Sequence, residues 1–260
     1  MNKLTLFQQY VADRRHQQID GFKHEGFPGF VRYTPLLDGM EGVVMYTDLP
    51  VDQTASQIME QTDYFHTLGV DFEWKVYAFD QPESLAALLR AQGFVPDEEE
   101  ALMMFSLQEA ALKVSARQRE WDVKRIDDLA GLADVVAVQE QVWERDFGWL
   151  YEQLVDTLLN RPETLSMFGA YHDGQPIGSG WTEYPAGSRF PELHGGAVLS
   201  AFRGRGVYGD LFHVRFVEAR QRHYEFVAVD ASPMSRPILE RIGFQHICMT
   251  QPYRKKLAKE

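Results

Sequence analysis

The sequence predicts an α/β (α+β mixed sheet) chain with helices packed on the sheet, built as two similar halves. Three observations carry this. Residues 76–94 recur as residues 226–244, at an offset of 150. The second half runs from a hairpin signal into alternating strand and helix patterns. One of those strands meets its helix through a glycine-rich turn.

The repeat shares five identities: Ala78/Ala228, Asp80/Asp230, Leu89/Leu239, Gly93/Gly243 and Phe94/Phe244. Apolar character also recurs at Val76/Phe226, Phe79/Val229 and Leu88/Ile238. In each copy a run rich in β-branched and aromatic residues, 74–79 and 226–229, reads as a buried strand. A Ser/Pro-containing start then opens a short helix. Pro82 is expected near the first helical position, where a missing N–H is harmless. Pro237 cannot lie deep in a helix, so Ser235 is the expected cap of the second copy, with Ser232 as the other choice. Gly93 and Gly243 close the helices, because glycine adopts the left-handed closing conformation without strain. Phe94 and Phe244 start the next strands.

Between the copies, residues 107–120 are polar and mixed. The expected organisation is therefore a first domain at residues 1–110, a linker at 111–120 and a second domain at 121–260. Within the second, a strand is expected near 121–126 and helices over 128–141 and about 151–159, with Arg161-Pro162 as the break. A hairpin follows, with strands 165–171 and 176–184 about the turn His172-Asp173-Gly174-Gln175. A strand over 192–200 and a helix from Gly206 to about Arg222 lead into the repeat.

Composition narrows the class. The 260 residues are 45% apolar and 13% aromatic, values of a packed globular protein. No apolar run approaches a membrane span, and residues 1–13 lack a small-residue cleavage site. The single cysteine, Cys248, excludes an internal disulfide framework, and the expected location is cytoplasmic. Net charge is −12; residues 1–110 carry 7 basic and 18 acidic side chains, against 19 and 20 in residues 111–260. Neither nucleic acid nor an anionic membrane is an expected partner of such a surface. The eight histidines show no metal-ligand spacing, so no metal is expected.

The chemistry is concentrated in residues 192–211, ELHGGAVLSAFRGRGVYGDL. A strand ends near Ser200, a glycine-rich turn follows, and a helix opens with apolar residues at 207, 211, 214 and 217 that place one face on the sheet. Turn glycines let a ligand approach the backbone, and the first helical N–H groups point outward at the positive end of the helix. This is a site for a phosphate or pyrophosphate, with Arg203 and Arg205 adding charge. The pattern Gly204-x-Gly206-x-x-Gly209, with Asp230 beyond it, also satisfies the dinucleotide-binding fingerprint. Its context argues against that use: the turn comes late, little more than one β-α-β unit remains after it, and 200–203 separate the strand from the first glycine. A Walker loop is excluded, because no Gly-Lys-Ser/Thr follows.

Arg203-Gly204-Arg205-Gly206, preceded by Val198-Leu199-Ser200 and followed by Ile242-Gly243-Phe244, resembles the signature of the GNAT superfamily of N-acetyltransferases over about residues 121–257. The resemblance implies a GNAT-like acyl-CoA N-acyltransferase fold, in two tandem copies, and acetyl-CoA as co-substrate. It implies that the amides of Gly204, Arg205, Gly206, Val207, Tyr208 and Gly209 hold the pyrophosphate beside Arg203. The strand edge at Val198, Leu199 and Ser200 would then pair with the pantetheine arm, and Ser232 and Ser235 would lie in the cofactor-facing loop. Tyr208 departs from the pattern, which has Gly or Ala there. The first half resembles a degenerate copy: at the repeat offset Arg203, Gly206 and Gly209 become Gln53, Ser56 and Met59, so residues 48–68 are expected to form a loop and helix without a cofactor.

Direct transfer to an amine needs a base for the amine proton and an acid for the leaving thiolate. Glu192, eleven residues before Arg203, is the candidate base, where some GNAT enzymes keep a glutamate. Strand alternation puts Glu192, His194 and Val198 on one face and Leu193, Ala197 and Leu199 on the other. The position of the family's usual acidic tyrosine is Leu239, and its usual asparagine is Ser232; Tyr208, Ser235 and Tyr224 are alternatives that spacing does not separate. The acceptor is expected to be a small-molecule or peptide amine, with the aromatics of Asp146-Phe147-Gly148-Trp149-Leu150-Tyr151 either cradling it or packing the core. A non-catalytic acyl-CoA-binding module is the alternative.

Overall fold

The computed structural model describes residues 2–19, 21–108 and 120–256. In chain order its elements are α1 (Lys3–Arg14), β1 (Phe22–Phe27), β2 (Phe30–Pro35), β3 (Gly42–Met45), α2 (Val51–Leu68), β4 (Phe72–Tyr77), α3 (Leu85–Ala91), β5 (Val95–Pro96), β6 (Glu100–Ser106), β7 (Asp122–Ile126), α4 (Leu129–Trp143), α5 (Gly148–Asn160), β8 (Leu165–His172), β9 (Gln175–Glu183), β10 (Glu192–Val198), α6 (Val207–Gln221), β11 (Phe226–Ala231), α7 (Arg236–Ile242) and β12 (Gln245–Lys255).

Two compact units form, Met1–Met103 together with Asp230–Glu260, and Met104–Val229. The chain passes between them within β6 and β11. This division differs from a single cut at residues 111–120, of which 111–119 lie outside the described residues. Its physical basis is β12, which pairs antiparallel with β4 from Thr250↔Tyr77 to Lys255↔Phe72. Tyr253 of β12 is buried in the same cluster as Phe72 and Trp74.

In the first unit β1, β2 and β3 are joined antiparallel, and β3 runs parallel to β4 through Gly42↔Phe72, Val43↔Glu73, Val44↔Trp74 and Met45↔Lys75. Helix α2 places Ile58 and Phe65 on the core side, where they meet Val44, Phe72 and Trp74. Gly42 is required here, because a Cβ would fall inside the Phe65 ring. Lys75 is held by Asp230 at 2.6 Å and Glu100 at 3.2 Å.

In the second unit β7, β8, β9 and β10 form an antiparallel run, and β11 joins β10 in parallel at Glu192↔Ala228. Asp128 caps α4 by accepting from the Gly131 amide at 2.8 Å, a contact worth about 1 kcal/mol in such caps. Helices α4 and α5 cover one face, packing Leu132, Val136, Leu150 and Leu154 on Met167 and Trp181. Helix α6 covers the other, packing Val207 and Leu211 on Phe168, Ala170, Ile177 and Val198. The hairpin turn is Asp173-Gly174, with φ of 48° and 77°.

The repeat has a different detailed register from the one expected. Strand β4 spans Phe72–Tyr77 rather than 74–79. Pro82 precedes the helix, which starts at Leu85 with Ser84 at the cap position. Ser235 does occupy the cap position of α7, but its side chain caps no helical amide; it donates to the Ser232 carbonyl at 3.2 Å. Gly93 and Gly243 have the expected positive φ, 82° and 112°.

Candidate active site

Strand β10 ends at Val198, and a short 3-10 turn, Ser200–Phe202, leads into Arg203-Gly204-Arg205-Gly206. Gly204 has φ +72° and Gly206 φ +104°, backbone conformations that other residues adopt with strain. Gly206 is the N-cap of α6, and no side chain caps that helix. The first intrahelical donor is the Asp210 amide, which reaches the Gly206 carbonyl at 3.1 Å. The amides before it, at Val207, Tyr208 and Gly209, are the donors a helix start leaves without intrahelical partners. A Cβ at Gly204 or Gly209 would meet nothing within 4 Å, so the surface over the turn is open. Arg203 Nε donates to the Val198 carbonyl at 3.0 Å, which ties the turn to the strand end. Arg205 pairs with Glu120 and lies over the Phe202 ring.

The parallel pair opens beside this turn. Among the described residues β10 and β11 are registered only at Glu192↔Ala228, so the two strands part beyond that point. Upstream of the turn β10 carries a bulge. It is registered with β9 at His194↔Trp181 and resumes at Ala197↔Ser179, three residues on β10 against two on β9. Gly195, with φ +57°, absorbs the extra residue, and a Cβ there would fall inside the Trp181 ring. Strict alternation fails at this point. Glu192, His194 and Ala197 share a face with Trp181 and Ser179, whereas Val198 turns to the α6 side, where it packs on Val207 and Leu211.

On the α4/α5 side, His194 Nε2 lies 3.5 Å from Glu192 Oε2 and 3.8 Å from Glu183 Oε2. The His194 ring stacks on Trp181, whose indole N–H donates to Glu183 at 3.3 Å. A pocket of about 400 Å³ lies between α4 and α5, lined by Val136, Ala137, Glu140, Tyr151 and Glu152 among others. Phe147 and Leu150 of the expected aromatic segment are core residues, whereas Gly148 and Tyr151 line the pocket.

Several solved structures share this architecture. A GCN5-related N-acetyltransferase from Kribbella flavida superposes with TM-score 0.70 at 12% identity, covering 98% of this chain and 95% of its own. A tandem GNAT protein from the clavulanic acid biosynthesis pathway gives 0.60 at 14%, covering 92% and 82%. A GCN5-related N-acetyltransferase from Sphaerobacter thermophilus gives 0.58 at 14%, covering 88% and 77%. The chain has the GNAT fold. No protein-family model matches the sequence, and no curated protein matches it significantly.

Within the GNAT fold the expected residues divide between the units. Glu192, Val198, Leu199, Ser200, Arg203, Gly204, Arg205, Gly206, Val207, Tyr208 and Gly209 all belong to the second, contiguous unit. Ser232 and Ser235 belong to the segment packed with the first unit, where their hydroxyls lie 3.2 Å apart. Tyr208 stacks edge-on against Phe212, and burial raises its hydroxyl above the ordinary tyrosine range. Its ring covers the bulge: a Cβ on Gly196 would lie 3.1 Å from Tyr208 Cε2 and 3.3 Å from its hydroxyl oxygen. Tyr224 packs instead against Tyr184. Leu239 is fully buried core.

Sequence reasoning missed Glu183, Trp181, Gln139 and Arg215. The Gly195-Gly196 pair inside a predicted strand was the available signal, since adjacent glycines there mark a bulge. Among the described residues no group of three or more His, Cys, Asp or Glu side chains is placed to hold a metal ion. None of the described helices is long and apolar enough to cross a membrane.

Proposed function

We propose that the second unit binds an acyl-CoA, with acetyl-CoA the expected donor, and transfers its acyl group to a primary amine of a small molecule or peptide. The observation that carries this reading is the uncapped start of α6 at Gly206, φ +104°, set beside a parallel strand pair that opens after Glu192↔Ala228. The open amides and Arg203 suit a pyrophosphate, and the parted strands leave the edge of β10 available to an extended arm. Bound there, acetyl-CoA would supply the thioester.

Glu192 is the base in this reading. It lies on the α4/α5 side, with His194 beside it, so an amine would reach it from the face opposite α6. Glu192 takes a proton from the amine nitrogen as that nitrogen bonds to the acyl carbon; the carbon–sulfur bond breaks, and the CoA thiolate takes up a proton from water. Glu183, aligned across the strand pair with Glu192, keeps negative charge near His194 and favours a cationic acceptor. The pocket containing Tyr151, Glu140 and Glu152 has the same preference.

Thermal stability measured with CoA, acetyl-CoA and longer acyl-CoAs tests the binding half of the proposal. Thiol release with a panel of amines tests the transfer. Stabilisation by CoA with no thiol release from any amine would leave a binding module; no stabilisation would refute the site.

A further inference from the structure

Arg215 lies in the middle of α6 and is wholly buried, at 0% exposure. No acidic side chain among the described residues pairs with it. Its Nε donates to the Leu211 carbonyl at 3.0 Å, within its own helix. Nη1 reaches the carbonyls of Trp181 and His194, each at 3.3 Å. These two residues are registered partners across β9 and β10, and they form the last pair before the bulge. Nη2 is buried and meets no acceptor among the described residues. The guanidinium carbon also lies 4.4 Å from the Phe212 ring centroid. Burial pulls this group down to about 10, and only the hydroxyls of Tyr208 and Tyr184 oppose that. An unpaired cation in a core is unfavourable, so a role at this spot has to be sought.

The opposite face holds a second buried polar group at the same bulge. Gln139 of α4 donates from Nε2 to the Gly195 carbonyl at 2.7 Å and to Ser179 Oγ at 2.8 Å. Its Oε1 accepts from the indole of Trp143 at 3.2 Å. Two consecutive carbonyls of β10 are therefore drawn to opposite faces, His194 toward α6 and Gly195 toward α4. A trans peptide plane carries its N–H opposite its C=O. Holding the two carbonyls thus fixes the Gly195 N–H toward the α4 side and the Gly196 N–H toward the α6 side. Neither glycine has a registered partner on β9.

We infer that Arg215 and Gln139 are a pair of positioning residues that clamp the bulge from its two faces and so hold the adjoining edge of β10 in the one alignment that acyl transfer uses. The catalytic consequence rests on the acyl-transfer reading; the clamp itself does not.

The test uses the full chain with Arg215→Met and, from the other face, Gln139→Met. Amide hydrogen exchange at Gly195 and Gly196 is expected to speed up by about tenfold or more in each, as local opening becomes easier. Turnover is expected to fall by about 10–10²-fold while KM for acetyl-CoA and CoA affinity stay within about threefold, as when reacting groups are misaligned by an ångström. Exchange at both glycines unchanged from the parent in both variants would overturn the clamp, whatever the activity. Equal losses in CoA affinity and turnover, accompanied by faster exchange throughout the second unit, would also overturn it and make the pair ordinary core. If the parent neither binds CoA nor releases thiol, the acyl-transfer reading fails, and exchange at the two glycines still decides the clamp.

Discussion

Strand β3 reaches helix α2 through residues 46–50, whereas β10 reaches α6 through residues 199–206. The short connection holds no glycine; its cap position is Pro50, φ −58°, and Asp52 sits in the first turn of the helix. The long one has glycines at φ +72° and +104° and two arginines. The strand pairs differ in the same sense. Strands β3 and β4 stay registered over four successive pairs, and a further parallel bridge joins Asp48 to Gln81. Tyr46, at φ 61°, stacks on Tyr77 at the strand ends. Strands β10 and β11 part after one registered pair. One order of elements thus gives a closed core in one unit and an open fork in the other. The difference lies in some half-dozen backbone residues, not in the topology.

The sharpest way to break this comparison is Gly206→Val. A β-branched residue is strained at φ +104° and would cover the open amides. CoA binding and turnover are both expected to fall below detection, while circular dichroism shows the fold retained. Calorimetric CoA titration of the variant checks it, and unchanged affinity would remove the phosphate turn from the second unit.

Glu192→Gln is expected to lower turnover by about 10²–10⁴-fold near neutral pH with little change in CoA affinity. The deficit should shrink toward high pH, where the amine arrives already deprotonated. Rates of both proteins across pH 6–10 separate a base from a bystander; a deficit equally large at every pH would indicate positioning instead.

A smaller effect separates the repeated aspartates. Asp230 is paired with Lys75, whereas Asp80 is buried and accepts the Tyr77 amide at 2.9 Å. Burial raises the Asp80 carboxyl from 3.8 to about 7. The folded state therefore binds this proton more tightly than the unfolded chain does. The resulting stability is fully present below about pH 3.8 and is lost as pH rises through about 7. Asp80→Asn keeps an acceptor for the amide and removes the titration. Denaturant melts between pH 4.5 and 8 should show a flatter slope in the variant than in the parent.

The smallest effect is expected in α2. Ser56→Ala and Met59→Ala should leave CoA affinity within about twofold, because both positions lie inside that helix and away from its start. A marked loss in either would place a cofactor in the first unit.

The turn, the Asp173-Gly174 hairpin and helices α4 to α6 were legible because each is written in local signals: positive-φ glycines, an Asp cap and helical periodicity. The counterparts at the repeat offset were not. Gln53, Ser56 and Met59 fall within α2, and the residue standing where Gly206 stands is Pro50, since the connection in the first half is shorter. Assigning Val198 to the face of Glu192 failed for a related reason. A bulge shifts every later side chain by one, and its cause, the Trp181 ring beneath Gly195, lies on another strand. Arg215 was illegible for the opposite reason: as an arginine on a helix it reads as solvated, and only packing reveals that it is enclosed.

The pairing of β12 with β4 also sets an order in time. Residues Met104–Val229 are contiguous and can close on themselves once they leave the ribosome. The first unit cannot, because its core includes Tyr253 of β12, which follows the whole of the second unit in the chain. Trp74 and Phe72 must wait, exposed or chaperoned, through the synthesis of the whole second unit. The half that is made first is thus finished last, and synthesis interrupted shortly before residue 245 would leave a completed glycine turn attached to an unfinished partner.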